Sequence, residues 1–210
     1  MSELLAILAG VGLAAACGFR VFLPLFVASL AIQTGMDGFG GFSLSNLLGD
    51  DLPWLGTTPV TITFGAATVL EIAAYYVPWL DNALDTIATP AAVIAGSLMS
   101  FAFLPGILDD SYLKWVAAAI VGGGTAGIIQ SGTVALRGAS TATTGGLGNF
   151  LLATLEAVVA ALASVLSVFL PLIAGALGVA LLVLMLRKVL AFRRWIKERS
   201  QSEPSPVSKT

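Results

Sequence analysis

Histidine is absent from this 210-residue chain, and cysteine occurs once, at Cys17. Without an imidazole or a second thiol, an intrachain disulfide, the usual zinc sites and a histidine proton relay are excluded. Charge is also scarce: Asp, Glu, Lys and Arg make up 10% of the residues, against roughly a quarter in a soluble domain. Hydrophobic residues make up 57%, and the mean hydropathy is +0.95. Such a chain is expected to be an all-α polytopic membrane protein, a single membrane domain over 1–192 with a short tail at 193–210. No separate catalytic or nucleic-acid-binding module fits, and no metal or cofactor is expected.

The few charges are unevenly placed. Residues 1–186 hold ten acidic and three basic side chains, whereas 187–210 hold seven basic and two acidic. The basic residues Arg187, Lys188, Arg193, Arg194, Lys197 and Arg199 directly follow the last apolar run, which assigns that end to the cytoplasm by the positive-inside rule. Residues 200–210 read as a disordered tail. Met1 to Gly10 lacks the basic start of a cleavable signal, so the first apolar segment is expected to be retained.

A helix needs about 20 apolar residues to cross the hydrocarbon core. About six segments are candidates, at roughly 4–32, 60–80, 90–105, 113–136, 149–170 and 172–192, with five or seven elements, or a re-entrant third, left open; six spans would put both termini on the cytoplasmic side of an inner membrane. Segment 33–58 then reads as an outer interfacial loop, while 81–89 and 137–148 read as inner loops. The order of features repeats in 4–105 and 113–192: a Gly/Ala-rich helix, a polar stretch, a Glu-bearing helix, then a Pro and a final helix. Three spans per half would place the halves in opposite orientations, the inverted-repeat plan of many secondary transporters.

Glu71 and Glu156 are each the only carboxylate in an apolar run of some twenty residues. An ionisable group at membrane depth costs several kcal/mol unless it is paired, protonated or wet, so it points to function. Arg20, deep in the first run, needs a partner, and either glutamate qualifies; one would then be a fixed counter-ion and the other free to titrate. Thr68, Glu71, Tyr75 and Pro78 share a helix face by their spacing, as do Asn149, Ala153, Glu156, Ala160, Ser164 and Ser167. Both stripes should face the bundle interior. Gln130 is a candidate polar ligand. Gly123, Gly127 and Ser131 form either a small-residue packing surface or part of a broken helix. Asp81 and Asp85, a helical turn apart, either chelate a cation or solvate a loop.

The stretches GlyPheArgValPheLeuProLeu (18–25), LeuGluIleAlaAlaTyrTyrValProTrpLeuAspAsnAlaLeuAspThrIle (70–87) with Pro90, and AlaLeuArgGlyAlaSerThrAlaThrThrGlyGlyLeuGlyAsn (135–149), followed by Glu156, resemble a bacterial family of membrane proteins of unknown function, DUF4126. Arg20, Glu71, Pro78, Asp81, Asp85 and Glu156 match its pattern. Tyr76 and Phe150 depart from it, where a basic residue and a Pro are frequent. The resemblance implies an integral membrane protein and no established activity.

On the residues, the expected function is a small secondary transporter or exchanger of a solute or ion, coupled to a proton or cation through the intramembrane glutamates. The competing expectation is a non-transporting assembly protein in which Arg20 and the glutamates lock helices together. An enzyme is not expected, because two acids alone, without a nucleophile or metal cluster, are thin support for catalysis. Expected partners are membrane lipids and a small solute or ion, with no nucleic acid; homo-oligomers stay open.

Overall fold

The computed structural model describes the backbone of residues 2–38, 42–44, 52–104 and 110–202, with the side chains of 2, 37–38, 42–43, 78–79, 81–82, 189, 192–193 and 195–202 excepted. Helices dominate: α1 (Ser2–Cys17), α2 (Phe22–Thr34), α3 (Thr58–Ala74), α4 (Pro78–Ala102), α5 (Ser111–Ala118), α6 (Gly124–Thr144), α7 (Leu147–Phe169) and α8 (Pro171–Ser202). A π-helical turn, Ala119–Gly123, joins α5 to α6 as one rod. The only other ordered pieces among the described residues are a two-residue antiparallel pairing of 37–38 with 42–43 and a 3-10 turn at Pro53–Gly56.

Four stretches are long and apolar enough to cross a membrane: Ala83–Ala102, Ser111–Thr144, Leu147–Phe169 and Pro171–Lys188. Three shorter apolar helices, Glu3–Cys17, Phe22–Thr34 and Thr58–Ala74, lie among the segments expected to span. The first segment, 4–32, is broken at Gly18–Val21 into α1 and α2, which have 16 and 13 residues. At 1.5 Å per residue these are about 24 and 20 Å long, short of the roughly 30 Å hydrocarbon core.

Contacts fix the direction of each helix. Ser29 bonds Thr61 and Gln33 bonds Thr58, while the amides of Val21 and Phe22 reach Glu71, so α2 is antiparallel to α3. Ala67, Leu70 and Ala74 of α3 line one cavity with Leu84, Ala88 and Ala91 of α4, so the two helices lie side by side across the short turn at 75–77 and run antiparallel. A Cβ built on Gly96 would lie 2.6 Å from Ala126, and one on Gly127 would lie 2.8 Å from Val93, while Asp85 meets Arg137, so α4 is antiparallel to α6. The Gly145–Gly146 turn, with φ of 64° and 91°, reverses the chain from α6 into α7. Arg20 touches Ala153, and Gly12 approaches Ser167, so α7 is antiparallel to α1.

It follows that α1 and α2 run in opposite senses. Together they form a helical hairpin that enters the bundle, turns at Gly18–Val21 and returns. Gly18 allows the tip to approach α6, since a Cβ there would sit 2.6 Å from that of Ile129. The tip stops at the level of Arg137, seven residues or about 10 Å before the end of α6. Leu8 and Gly175, and Ala15 and Gly178, are neighbours, so α8 runs parallel to α1. The start of α1 and the end of α8 therefore lie at opposite ends of the bundle.

Two expected loops are helical. Residues 81–89 belong to α4, which starts with Pro78 in its first turn and carries Pro90 inside. A proline is well placed in a first turn because the missing N–H has no intrahelical partner there. Residues 137–144 belong to α6, so the inner loop shrinks to the two glycines. The interhelical seam is lined by small residues: Gly123 packs on Ser97 and Val93, and Gly96 on Ala126. That supports the packing reading of the 122–131 stretch, with the π turn as a local widening of the rod.

Gly96→Val should separate α4 from α6 and lower the detergent melting temperature, at an overpacking cost of about 1–3 kcal/mol. Gly124→Ala, where a Cβ meets nothing within 4 Å, should leave melting unchanged or raise it slightly by helix propensity.

Candidate functional site

Three buried or half-buried carboxylates and two guanidiniums meet around the hairpin tip. Arg137, on α6, is 1% exposed. Its Nη1 donates to Asp85 Oδ1 at 2.5 Å, its Nε donates to Glu156 Oε1 at 3.2 Å, and its Nη2 closes the fork on Glu156 Oε2. Arg20, also 1% exposed, sits at the α1–α2 break. Its Nη2 donates to the Ala153 carbonyl at 2.6 Å and lies 3.6 Å from Glu156 Oε2. Its Nε and Nη1 have no hydrogen-bond partner, but its guanidinium lies 3.9 Å from the centroid of the Tyr75 ring. Arg137 lies 4.2 Å from the same centroid, so one phenol ring takes two cation–π contacts.

Arg20 therefore pairs with Glu156 and not with Glu71. Glu71 forms no ion pair among the described residues. Its Oε1 and Oε2 accept from the backbone amides of Val21 at 2.7 Å and Phe22 at 3.0 Å. These are orphan donors at the start of α2, which no turn of helix precedes. The carboxylate caps a broken helix end and meets its positive dipole.

Glu71 also lines a cavity of about 370 Å³ between the start of α2, the last turns of α3 and the first half of α4. Ala67, Ala74, Tyr75, Leu84 and Ala88 contribute to its largely apolar walls.

The other expected residues fall around this centre. Gln130 is buried two turns before Arg137 on α6, and its Nε2 has no partner. Asn149, in the first turn of α7, donates from Nδ2 to Thr141 Oγ1 at 3.0 Å. Asp85 is an ion-pair partner on a helix and not part of a solvated loop. Asp81 lies on α4, but its side chain is outside the described residues, as is that of Pro78. Thr68 and Tyr75 are buried on the Glu71 face of the chain, and all six members of the α7 stripe are buried.

Arg137, expected in the inner loop 137–148, was not among the candidate site residues, because Gly138 and the Ser/Thr run after it resemble a loop. A signal was present: Ala126, Gln130, Thr133 and Arg137 follow at four, three and four residues, and all are buried.

No group of three or more His, Cys, Asp or Glu among the described residues is placed to hold a metal ion, and every oxygen pair is engaged by guanidinium or amide. Two guanidiniums face three carboxylates, so the cluster carries one negative charge in excess when all five groups are ionised. Removing one partner of a buried ion pair costs about 3–5 kcal/mol, whereas removing both is often near neutral. Arg137→Met and Glu156→Met should each lower the melting temperature strongly, and the double variant should be more stable than either single change.

No curated protein and no solved structure matches the chain. A family described as a domain of unknown function, DUF4126, matches residues 7–191. That span includes the hairpin, both guanidiniums and all three carboxylates, and the chain belongs to the DUF4126 family.

Proposed function

We propose that the protein is a small secondary transporter or exchanger, with Glu71 as the group that takes a proton or a cation in alternation. One observation carries this reading. Glu71 is the carboxylate of the buried cluster without a cationic partner, and it lines a cavity at the tip of a helical hairpin. Glu156, held by Arg137 and Arg20, serves as the fixed counter-ion. With two guanidiniums against three carboxylates, the cluster reaches neutrality when Glu71 takes one proton or one monovalent cation. An ion on Glu71 competes with the amides of Val21 and Phe22 for the carboxylate oxygens, and that competition couples binding to movement of the hairpin.

The helix order supports an inverted-repeat plan. α2, α3 and α4 alternate in direction, and α6, α7 and α8 alternate in the opposite sense, with a glutamate on the middle helix of each trio. The glutamates are not equivalent within that plan: Glu71 lies in the last turn of α3, whereas Glu156 lies in the first half of α7. Broken helices whose ends address bound ions are a recurrent transporter device. The basic run in the later turns of α8 supports assigning that end of the bundle to the cytoplasmic face, and the cluster lies toward the same end, since Gly132 of α6 meets Met185 of α8 two residues before Arg187. The start of α1 then lies on the opposite side, and the membrane is the inner one.

The second reading is a non-transporting assembly protein. Arg137 favours it, since a single side chain ties α4, α6 and α7 together and its bonds need no ligand.

Proteoliposomes carrying a trapped pH dye separate the two. Addition of Na⁺, K⁺ or an organic cation to the wild type should shift internal pH, and Glu71→Gln should stay folded while abolishing the shift. A pH shift that survives in Glu71→Gln, or a wild type that gives none while Glu71→Gln merely unfolds, contradicts the transporter reading.

A further inference from the structure

We propose that the cavity beside Glu71 is a binding site for a hydrophobic monovalent organic cation that reaches it sideways from the hydrocarbon. This rests on the reading of Glu71 as the exchanging group and names the class of ligand it exchanges for a proton.

The first observation is size and lining. A volume of about 370 Å³ lies in the range of about 300–1,000 Å³ usual for small-molecule sites. Its walls are alanine and leucine side chains with Phe22 at one end, and its only carboxylate is Glu71. An apolar box with one negative group discriminates on two properties together. A hydrated inorganic ion finds too few oxygens there to replace its water shell, and a neutral solute leaves the carboxylate without a counter-charge in hydrocarbon. An anion meets a carboxylate of its own sign. A delocalised or alkyl-shielded cation satisfies both requirements, since its apolar surface fills the walls and its charge neutralises Glu71.

The second observation is the opening. Leu70 and Ile87 line the cavity and are 70% and 63% exposed on the outer surface of α3 and α4. In a membrane-spanning bundle that surface faces lipid chains, so the mouth lies between two lipid-facing helices. A ligand that enters there must already be dissolved in the bilayer, which hydrophobic cations are and hydrated ions are not.

The positive charges of Arg20 and Arg137 stand near the same wall, against Tyr75. Both are engaged by Glu156, and Arg137 by Asp85 as well. Their field is thereby offset, and Glu71, whose oxygens accept from the amides of Val21 and Phe22, is the acidic residue among those lining the cavity.

The test uses the full chain in detergent with tetraphenylphosphonium as the probe and tetraphenylborate as an anion of the same shape, and binding is read by calorimetry and by tryptophan fluorescence. Wild type should bind the phosphonium at least tenfold more tightly than the borate. Glu71→Gln should lose at least tenfold in phosphonium affinity, and Ala88→Phe, which fills the cavity without touching the carboxylate, should do the same. Gel filtration and melting identify variants that have lost their fold, and the wild-type preference over the borate tests the site without any variant. Equal binding of both probes, or phosphonium binding unchanged in folded Ala88→Phe, overturns the proposal and leaves the cavity as a groove for lipid chains. If phosphonium fails to bind while Na⁺ or K⁺ still drives the Glu71-dependent pH shift, this inference fails and the transporter reading stands. If no cation drives a shift, both fail.

Discussion

A helix broken inside hydrocarbon must have its freed amides satisfied by protein, because no water is there to do it. In this chain the break at Gly18–Val21 exposes the first amides of α2, and the two oxygens of Glu71 accept from Val21 and Phe22. The rest of the arrangement depends on that contact. It fixes the hairpin tip against the end of α3 and places Arg20 beside Tyr75 and Glu156. It also leaves a carboxylate, capped by dipoles and not by a cation, on the wall of a cavity.

The guanidiniums divide the work around it. Arg137 forms the tighter set of bonds and joins three helices, whereas Arg20 makes one carbonyl bond, a looser contact with Glu156 and a cation–π contact. The small-residue seams between α4 and α6 let the backbones come close enough for such short-range bonds to form, since van der Waals packing and interhelical hydrogen bonds replace the hydrophobic drive inside lipid. Packing therefore supplies the rigid frame, and the charge cluster sets which helix faces meet.

Much of this was legible in the sequence, for identifiable reasons. Charge is so expensive in an apolar run that Glu71, Glu156 and Arg20 stood out by position alone, and the stripe from Asn149 to Ser167 gave the buried face of α7 by its spacing. The hairpin was not legible. Residues 4–32 are continuously apolar, and a hydropathy window reads composition, not direction, so one long span and two short antiparallel helices look alike. Pro90 suggested a helix start, yet α4 begins at Pro78 and carries Pro90 within it, since neighbouring helices and side chains in a membrane bundle can satisfy the carbonyl it leaves free. Arg137 was concealed by the glycine after it and by a run of Ser and Thr that forms helix here. Which glutamate pairs with Arg20 was undecidable from spacing, because it depends on the turn of the hairpin that spacing did not reveal.

The central claim is that Glu71 exchanges a proton for a cation while Glu156 stays ionised in its pair. Infrared difference spectroscopy of the membrane-embedded protein, recorded on addition of a monovalent organic cation, reads this directly through the carbonyl band of a protonated carboxyl. The account predicts that this band is lost when the cation binds, and that the change is absent in Glu71→Gln and present in Glu156→Asp. A difference spectrum with no protonated-carboxyl band, or one that is unchanged in Glu71→Gln, would contradict it.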